Sequence, residues 1–202
     1  MSHAAILNRF RLRLIFILFG LVVLAGCSLA ENIMMNARET TRFQVSGNQL
    51  QMDGIINSKT PGQLRDLLQG NPDLQEIVMG YVPGSVDDAA NLVAARMVRA
   101  AGLNTRLLPG AVIASGGVEF FLAGVERYPA PGILVGVHSW SGFNVEGRDL
   151  ARGDPAHQPY LAFFEDMGID RRFYWFTLTA ATSEDIHMMS PAEIARFGLF
   201  TR

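Results

Sequence analysis

One serine, one histidine and two glycines occupy turns where chemistry can be assembled. Ser115 lies in Gly110-Ala111-Val112-Ile113-Ala114-Ser115-Gly116-Gly117, where an apolar stretch hands over to a helical one. The free N–H groups and dipole of a helix start favour negative charge nearby, and the two glycines permit close approach of another chain. His138 follows the apolar stretch Ile133 to Val137, 23 residues downstream of Ser115, and Gly84 follows another, Ile77 to Val82. If these stretches are parallel strands of one sheet, their C-terminal ends converge in space. A hydroxyl, an imidazole and backbone donors are the parts of acyl transfer: nucleophile, general base and oxyanion hole. Each residue also has a plainer role. Ser115 can be an N-cap worth about 1 kcal/mol, and His138 a structural histidine bonded to a carbonyl.

The elements that would position these residues follow from patterning. Phe43 to Val45 and Leu50 to Ile55 flank Ser46-Gly47-Asn48 as a hairpin. Thr60-Pro61 opens a helix to about Leu68, with Thr60 as cap and Pro61 in the first turn. Val86, Ala89, Ala90, Val93, Met97, Val98 and Ala101 recur at helical spacing, with Asp87 and Asp88 suiting the helix start. Asn104 to Leu108 is the next strand; Gly110 to Ala114 leads into a helix from Ser115 to Gly124. Ser141 to Pro159, rich in Gly, Pro and charge, reads as an irregular loop. Tyr160 to Met167, Asp170 to about Ala180 and Pro191 to Phe197 are the last helices, and Ser190 with Glu193 has capping-box spacing. Strands alternating with helices argue for an α/β fold with parallel strands.

Several segments together resemble the Clp protease proteolytic subunit within the crotonase-like superfamily. They are Ala114-Ser115-Gly116-Gly117, Phe121-Leu122-Ala123-Gly124, Arg127 and Gly136-Val137-His138, together with the turn Pro83-Gly84-Ser85-Val86 and the closing segment Met189-Ser190-Pro191-Ala192-Glu193 through Phe197-Gly198-Leu199. The resemblance runs from about Leu50 to the C-terminus. It implies an α/β spiral of ββα units, a single crotonase/Clp-protease-like domain over 43–202. It also implies Ser115 as nucleophile, His138 as general base, and the N–H groups of Gly84 and Gly116 as the oxyanion hole. Counting back from Ser190, the family's aspartate falls on Thr182. Asp185, or Glu184 beside it, would then orient His138 after a shift, unless a dyad operates. Gly153, Pro155 and Pro159 interrupt what would be a long helix used in stacking rings, so a barrel assembly is not implied and a homo-oligomer stays open. Signal peptide peptidases of the same superfamily use lysine as base. Lys59, the one lysine of the chain, has no motif around it.

The N-terminus has the zones of an export signal. Arg9, Arg11 and Arg13 precede the apolar run Leu14 to Leu24, which is 11 residues long and shorter than the roughly 20 of a membrane span. Leu24-Ala25-Gly26-Cys27 resembles the bacterial lipobox. The expectation is a lipoprotein: signal peptide 1–26, lipidated Cys27 with a tether over 27–42, and a membrane anchor of two or three acyl chains such as palmitate. Ser28, not Asp, follows Cys27, which favours the outer membrane facing the periplasm; an ordinary cleaved signal and an uncleaved anchor are the alternatives. Cys27 is the sole cysteine, so thiol catalysis and disulfides are excluded.

Net charge is −2 with no basic block, which gives no support for nucleic-acid binding. His157 and His187 lack partners at metal-ligand spacing, so no metal and no cofactor is expected. Phe163, Phe164, Phe173, Tyr174, Trp175 and Phe176 default to core, with any exposed part available to a dimer contact or an acyl or peptide groove. Three functions remain in order of preference: a membrane-anchored periplasmic serine hydrolase acting on a peptide or protein substrate, a non-catalytic binding or scaffold lipoprotein, and a crotonase-type acyl-thioester enzyme.

Overall fold

The computed structural model describes residues 34, 35, 37–142 and 145–202. The expected leader and Cys27 lie outside the described residues, as does half of the tether. Among the described residues no helix is long and apolar enough to cross a membrane.

The order of apolar stretches becomes one seven-stranded sheet. Strands β1 (Thr41–Ser46) and β2 (Gln49–Gly54) form the hairpin, joined through Gly47 at φ 60°, the positive φ that a two-residue hairpin turn needs. β2 then runs parallel to β3 (Glu76–Val82), β3 to β4 (Asn104–Ala114), and β4 to both β5 (Arg127–Tyr128) and β6 (Leu134–Val137). β9 (His187–Met188) closes the far edge antiparallel to β6. A two-stranded ribbon, β7 (Ser141–Gly142) and β8 (Val145–Glu146), lies apart from the sheet. Parallel neighbours need covering helices, because both faces of such a sheet are apolar.

β4 departs most from the pattern expected of it. Asn104 to Leu108 and Gly110 to Ala114 are one 11-residue strand. Its register against β3 shifts between Met79, opposite Leu107, and Tyr81, opposite Val112. The extra residues include Pro109, which cannot donate to a ladder, and Gly110 at φ 73°, the usual ingredients of a bulge. The bulge lets β4 change partner on its other side. Thr105 faces Arg127 of β5, whereas Val112 to Ala114 face Leu134 to Gly136 of β6. The end of β4 is thereby laid against the end of β6.

The helices are α1 (Thr60–Gly70), α2 (Asp88–Ala100), α3 (Gly116–Leu122), α4 (Gln158–Asp166), α5 (Arg171–Ala180) and α6 (Pro191–Phe197). Asp87 caps α2 by accepting from the Ala90 N–H, and the Ser190/Glu193 capping box closes on α6. Lys59, not Thr60, takes the cap position of α1. The Thr60 hydroxyl sits inside the first turn, accepting from the Asn57 N–H at 3.0 Å and pairing with the Thr41 hydroxyl at 2.7 Å. Of α3, every residue but Glu119 is buried, and its Phe120 and Phe121 lie in the core with Leu50, Met52, Ile77, Met79 and Ile113. The C-terminal aromatics behave as core: Phe163, Phe164, Phe173 and Tyr174 are buried, and Trp175 and Phe176 pack against them. Two arginines, Arg127 buried and Arg99 half-buried, tie the ends together. Arg99 donates to the carbonyls of Leu122, Ala123, Gly124 and Met167. Arg127 donates to those of Gly124, Gly198 and Leu199.

Candidate active site

Ser115 is the residue between β4 and α3, and its backbone is unusual. At φ 48° and ψ −129° it is the one non-glycine residue with positive φ among the described residues. Such a conformation costs about 1–3 kcal/mol for an L-residue. It persists because both flanks are held. The Ser115 N–H donates to the Gly136 carbonyl of β6 at 3.0 Å, and its carbonyl accepts from the Val118 N–H at 2.8 Å. The side chain makes no capping hydrogen bond to the helix. The plainer role of N-cap is therefore not the one that the hydroxyl fills.

The Pro83-Gly84-Ser85 turn lies directly over this corner. The Gly84 carbonyl accepts from Ile56 N–H at 3.0 Å, and Val86 N–H donates to Ile56 O at 2.9 Å, which fixes the turn. Gly84 has φ 150°, and a Cβ there would meet Ser115 Cβ at 3.3 Å. A Cβ on Gly116 would run into the Ser85 side chain and meet Asn91 Nδ2 at 2.9 Å. Both glycines are thus required by close approach. The Gly116 N–H is the first of a helix and has no intrahelical acceptor. The Gly84 turn, the unbonded first N–H of α3 and the uncapped Ser115 hydroxyl thus lie at one corner.

His138 follows β6 and is half-buried. Its Nδ1 lies 2.7 Å from the Ser139 carbonyl. A carbonyl can only accept, so Nδ1 carries the proton and Nε2 is left as the basic nitrogen. Ser139 is itself fixed, its N–H donating to Ala181 O at 3.1 Å and its hydroxyl accepting from Arg148 N–H at 3.0 Å. Ser115 and His138 line one cavity. No hydrogen bond joins the Ser115 hydroxyl to the imidazole.

Neither carboxylate expected to orient His138 is hydrogen-bonded to its imidazole. Asp185 is exposed and its Oδ1 accepts from the next residue's N–H, Ile186, at 2.8 Å; Glu184 is exposed too. Pairing of β9 with β6 brings this segment alongside, and the residue that lies over Gly136 of β6 is Ile186, itself partly exposed. A Cβ on Gly136 would meet its Cγ2 at 2.6 Å. The Ser139 carbonyl, not Asp185, is the partner of the imidazole. Lys59 is exposed and lines a separate groove with Glu39, Arg42 and Asp66. His187 pairs with Glu193 at 3.1 Å. His157 is fully buried, with Nδ1 2.6 Å from the Tyr174 hydroxyl. Among the described residues no group of three or more His, Cys, Asp or Glu side chains could hold a metal ion.

Sequence reasoning passed over Glu119, which lies one helical turn beyond Ser115 and lines the same cavity with Asp88, Asn91, Trp140, Tyr160 and Tyr174. Its Oε2 is shut off from solvent without a hydrogen-bond partner. Burial, reinforced by the nearby charge of Asp88, pushes its carboxyl up to about 8. Burial likewise pushes the Tyr160 phenol far above its ordinary value, helped by Asp88, whose Oδ2 accepts its proton at 2.6 Å. Tyr174 is raised to about 12, again chiefly by burial. The signal for Glu119 was present: it is the one charged residue in Gly116-Gly117-Val118-Glu119-Phe120-Phe121-Leu122.

No protein-family profile matches the chain, and no curated protein matches it in sequence. Among solved structures it is similar to the 1510-N membrane-bound stomatin-specific protease. With a mutant of that protease in which a lysine is replaced by alanine, bound to a substrate peptide, the TM-score is 0.51 at 18% identity, covering 75% of this chain and 71% of that one. With a serine-to-alanine mutant of the same protease the TM-score is again 0.51 at 18% identity, covering 75% of each chain. At that identity the likeness establishes architecture alone: the chain has the mixed α/β fold of the Clp-protease-like, crotonase-like class.

Proposed function

We propose that the chain is a serine hydrolase, a peptidase, held by lipid on Cys27 at the cell envelope. Ser115 attacks the carbonyl while His138 Nε2 takes the hydroxyl proton. The N–H groups of Gly84 and Gly116 stabilise the oxyanion, and the Ser139 carbonyl holds the imidazole in the required tautomer. The observation that carries this reading is the strained backbone of Ser115 with its uncommitted hydroxyl. A strand-to-helix corner that presents a serine in this way is costly, and such strain concentrates at functional sites. A protease among the proteins of similar fold supports a peptide substrate. Leu24-Ala25-Gly26-Cys27 supports the lipid anchor, and Ser28 the outer membrane facing the periplasm.

Labelling of the detergent-solubilised full-length protein by a fluorophosphonate tests the hydrolase reading. Labelling should be lost in both Ser115→Ala and His138→Ala. Incorporation of an alkyne-tagged palmitate, lost in Cys27→Ser, tests the anchor. A second reading, a binding lipoprotein that keeps the fold without the chemistry, is favoured by one observation: the missing Ser115–His138 hydrogen bond. Such bonds are often long in the free enzyme and tighten with substrate. A folded protein that resists labelling would move the assignment to that role.

A further inference from the structure

The cavity beside Ser115 is small, walled by rings and floored by unpaired acceptors. Its free interior is ≈ 20 Å³, room for about one water-sized group. Trp140, Tyr160 and Tyr174 form the wall as a stack, with centroids 5.5 Å apart at 10° and 5.6 Å apart at 13°. The stack is fastened at several points. Trp140 Nε1 donates to the Tyr174 hydroxyl at 2.9 Å, and that hydroxyl pairs with His157 Nδ1 at 2.6 Å. Tyr160 donates to Asp88, which also accepts from the Ser85 hydroxyl at 2.6 Å. Gly147 lies so close to the Trp140 indole that a Cβ there would meet its Cε2 at 2.5 Å. Enlarging the cavity would require breaking this assembly.

Two buried acceptors on residues that line the cavity have no donor among the described residues: Glu119 Oε2 and Asn91 Oδ1. Asn91 is only 2% exposed, and its amide nitrogen is committed to the Gly116 carbonyl at 2.9 Å. A buried acceptor left unpaired costs about 1–3 kcal/mol. Ser115 and Gly116, the proposed nucleophile and an oxyanion donor, are part of the cavity's lining. A group entering it therefore belongs to the residue whose carbonyl is attacked.

We propose that this cavity is the side-chain recognition pocket of the enzyme. Glu119 and Asn91 make it select a small residue carrying a hydroxyl donor at the cleaved carbonyl: serine before alanine, and either before bulky apolar or cationic residues. The inference rests on the hydrolase reading above. At neutral pH the raised Glu119 carboxyl is largely protonated. It can accept from a hydroxyl on one oxygen and donate to it from the other, and it offers no negative charge to attract lysine or arginine.

The test uses detergent-solubilised full-length protein and fluorogenic peptides that differ only in that residue: serine, alanine, leucine or arginine. The wild type should favour serine over alanine by about 10-fold in kcat/KM, and over leucine or arginine by roughly 100-fold. Glu119→Ala removes an acceptor and enlarges the cavity, so serine and alanine should come within about 3-fold and leucine should gain. Glu119→Gln keeps an acceptor and a donor in the same volume and should retain the serine preference. Fluorophosphonate labelling is run beside each variant. A labelled wild type that prefers leucine or arginine, or a labelled Glu119→Ala with an unchanged profile, overturns the pocket assignment alone. A folded wild type that does not label overturns the pocket and the hydrolase together.

Discussion

Replacing Ser115 by glycine should remove the chemistry and raise stability at the same time. The comparison is with Ser115→Ala, which also lacks the hydroxyl but keeps a Cβ on a backbone at φ 48°, ψ −129°. The strain of an L-residue there is about 1–3 kcal/mol. Against it stands the extra freedom of glycine in the unfolded chain, about 0.5–1 kcal/mol. A further few tenths of a kcal/mol come from the lost burial of a half-exposed methyl, since a fully buried one is worth about 0.8 kcal/mol. The balance favours glycine by about 1 kcal/mol, which for a domain of this size raises Tm by about 2–4 °C. Thermal unfolding of both variants, followed by far-UV circular dichroism, reads the difference directly. A glycine variant melting below the alanine variant would mean that the corner is not strained, and the argument for a serine held there at a cost would collapse.

The other perturbations separate the parts of the site. Gly84→Ala puts a methyl 3.3 Å from Ser115 Cβ at φ 150°, displacing the turn proposed to supply an oxyanion donor; kcat for peptide hydrolysis should fall roughly 100-fold with KM little changed. Asp185→Asn, altering an exposed carboxylate bonded to Ile186, should leave fluorophosphonate labelling rates within about 3-fold of wild type, where a triad aspartate would cost about 10,000-fold. Arg127→Met leaves the carbonyls of Leu199, Gly198 and Gly124 without their donor, and urea unfolding should show a loss of about 2–4 kcal/mol. Glu119 has a raised folded value, up to about 8, so the folded chain binds more protons than the unfolded one between the ordinary glutamate range and pH 8. Its contribution is complete at low pH and declines by up to about 1.4 kcal/mol per pH unit as pH rises through that window. Glu119→Gln should flatten this part of the Tm profile.

The elements that came through in the sequence are those whose signals are local. The β1–β2 hairpin follows from Gly47 between two apolar runs, and the Ser190/Glu193 box marks the start of α6 to the residue. The elements that did not come through depend on distant partners. β5 and β9 have two residues each, too few for alternation to register, and exist because β4 and β6 offer them an edge. The unity of β4 was hidden by Pro109 and Gly110, which read as a terminator but act as a bulge. The Ser139 carbonyl beside His138 was illegible for the same reason. Spacing along the chain brings Asp185 close in sequence to β9, but which side chain lies over β6 depends on pairing across the sheet, and Ile186 is the one against Gly136.

The corner at Ser115 breaks two local rules that the rest of the domain obeys. A non-glycine residue stands at positive φ, and a helix-start serine leaves its cap unmade. One turn further on, α3 breaks a third by carrying a carboxyl into a helix that is otherwise buried. Any one of these is a tolerable defect. Stability alone would favour glycine at 115 and an apolar residue at 119. All three departures face a single cavity, shared with His138 and the Gly116 donor. Local rules are expected to fail together where function overrides stability, and the coincidence is difficult to explain for a scaffold that only needs its fold. It also sets the direction of any stabilising redesign: changes that relieve Ser115 or replace Glu119 by an apolar residue should strengthen the fold while removing the proposed chemistry or its selectivity.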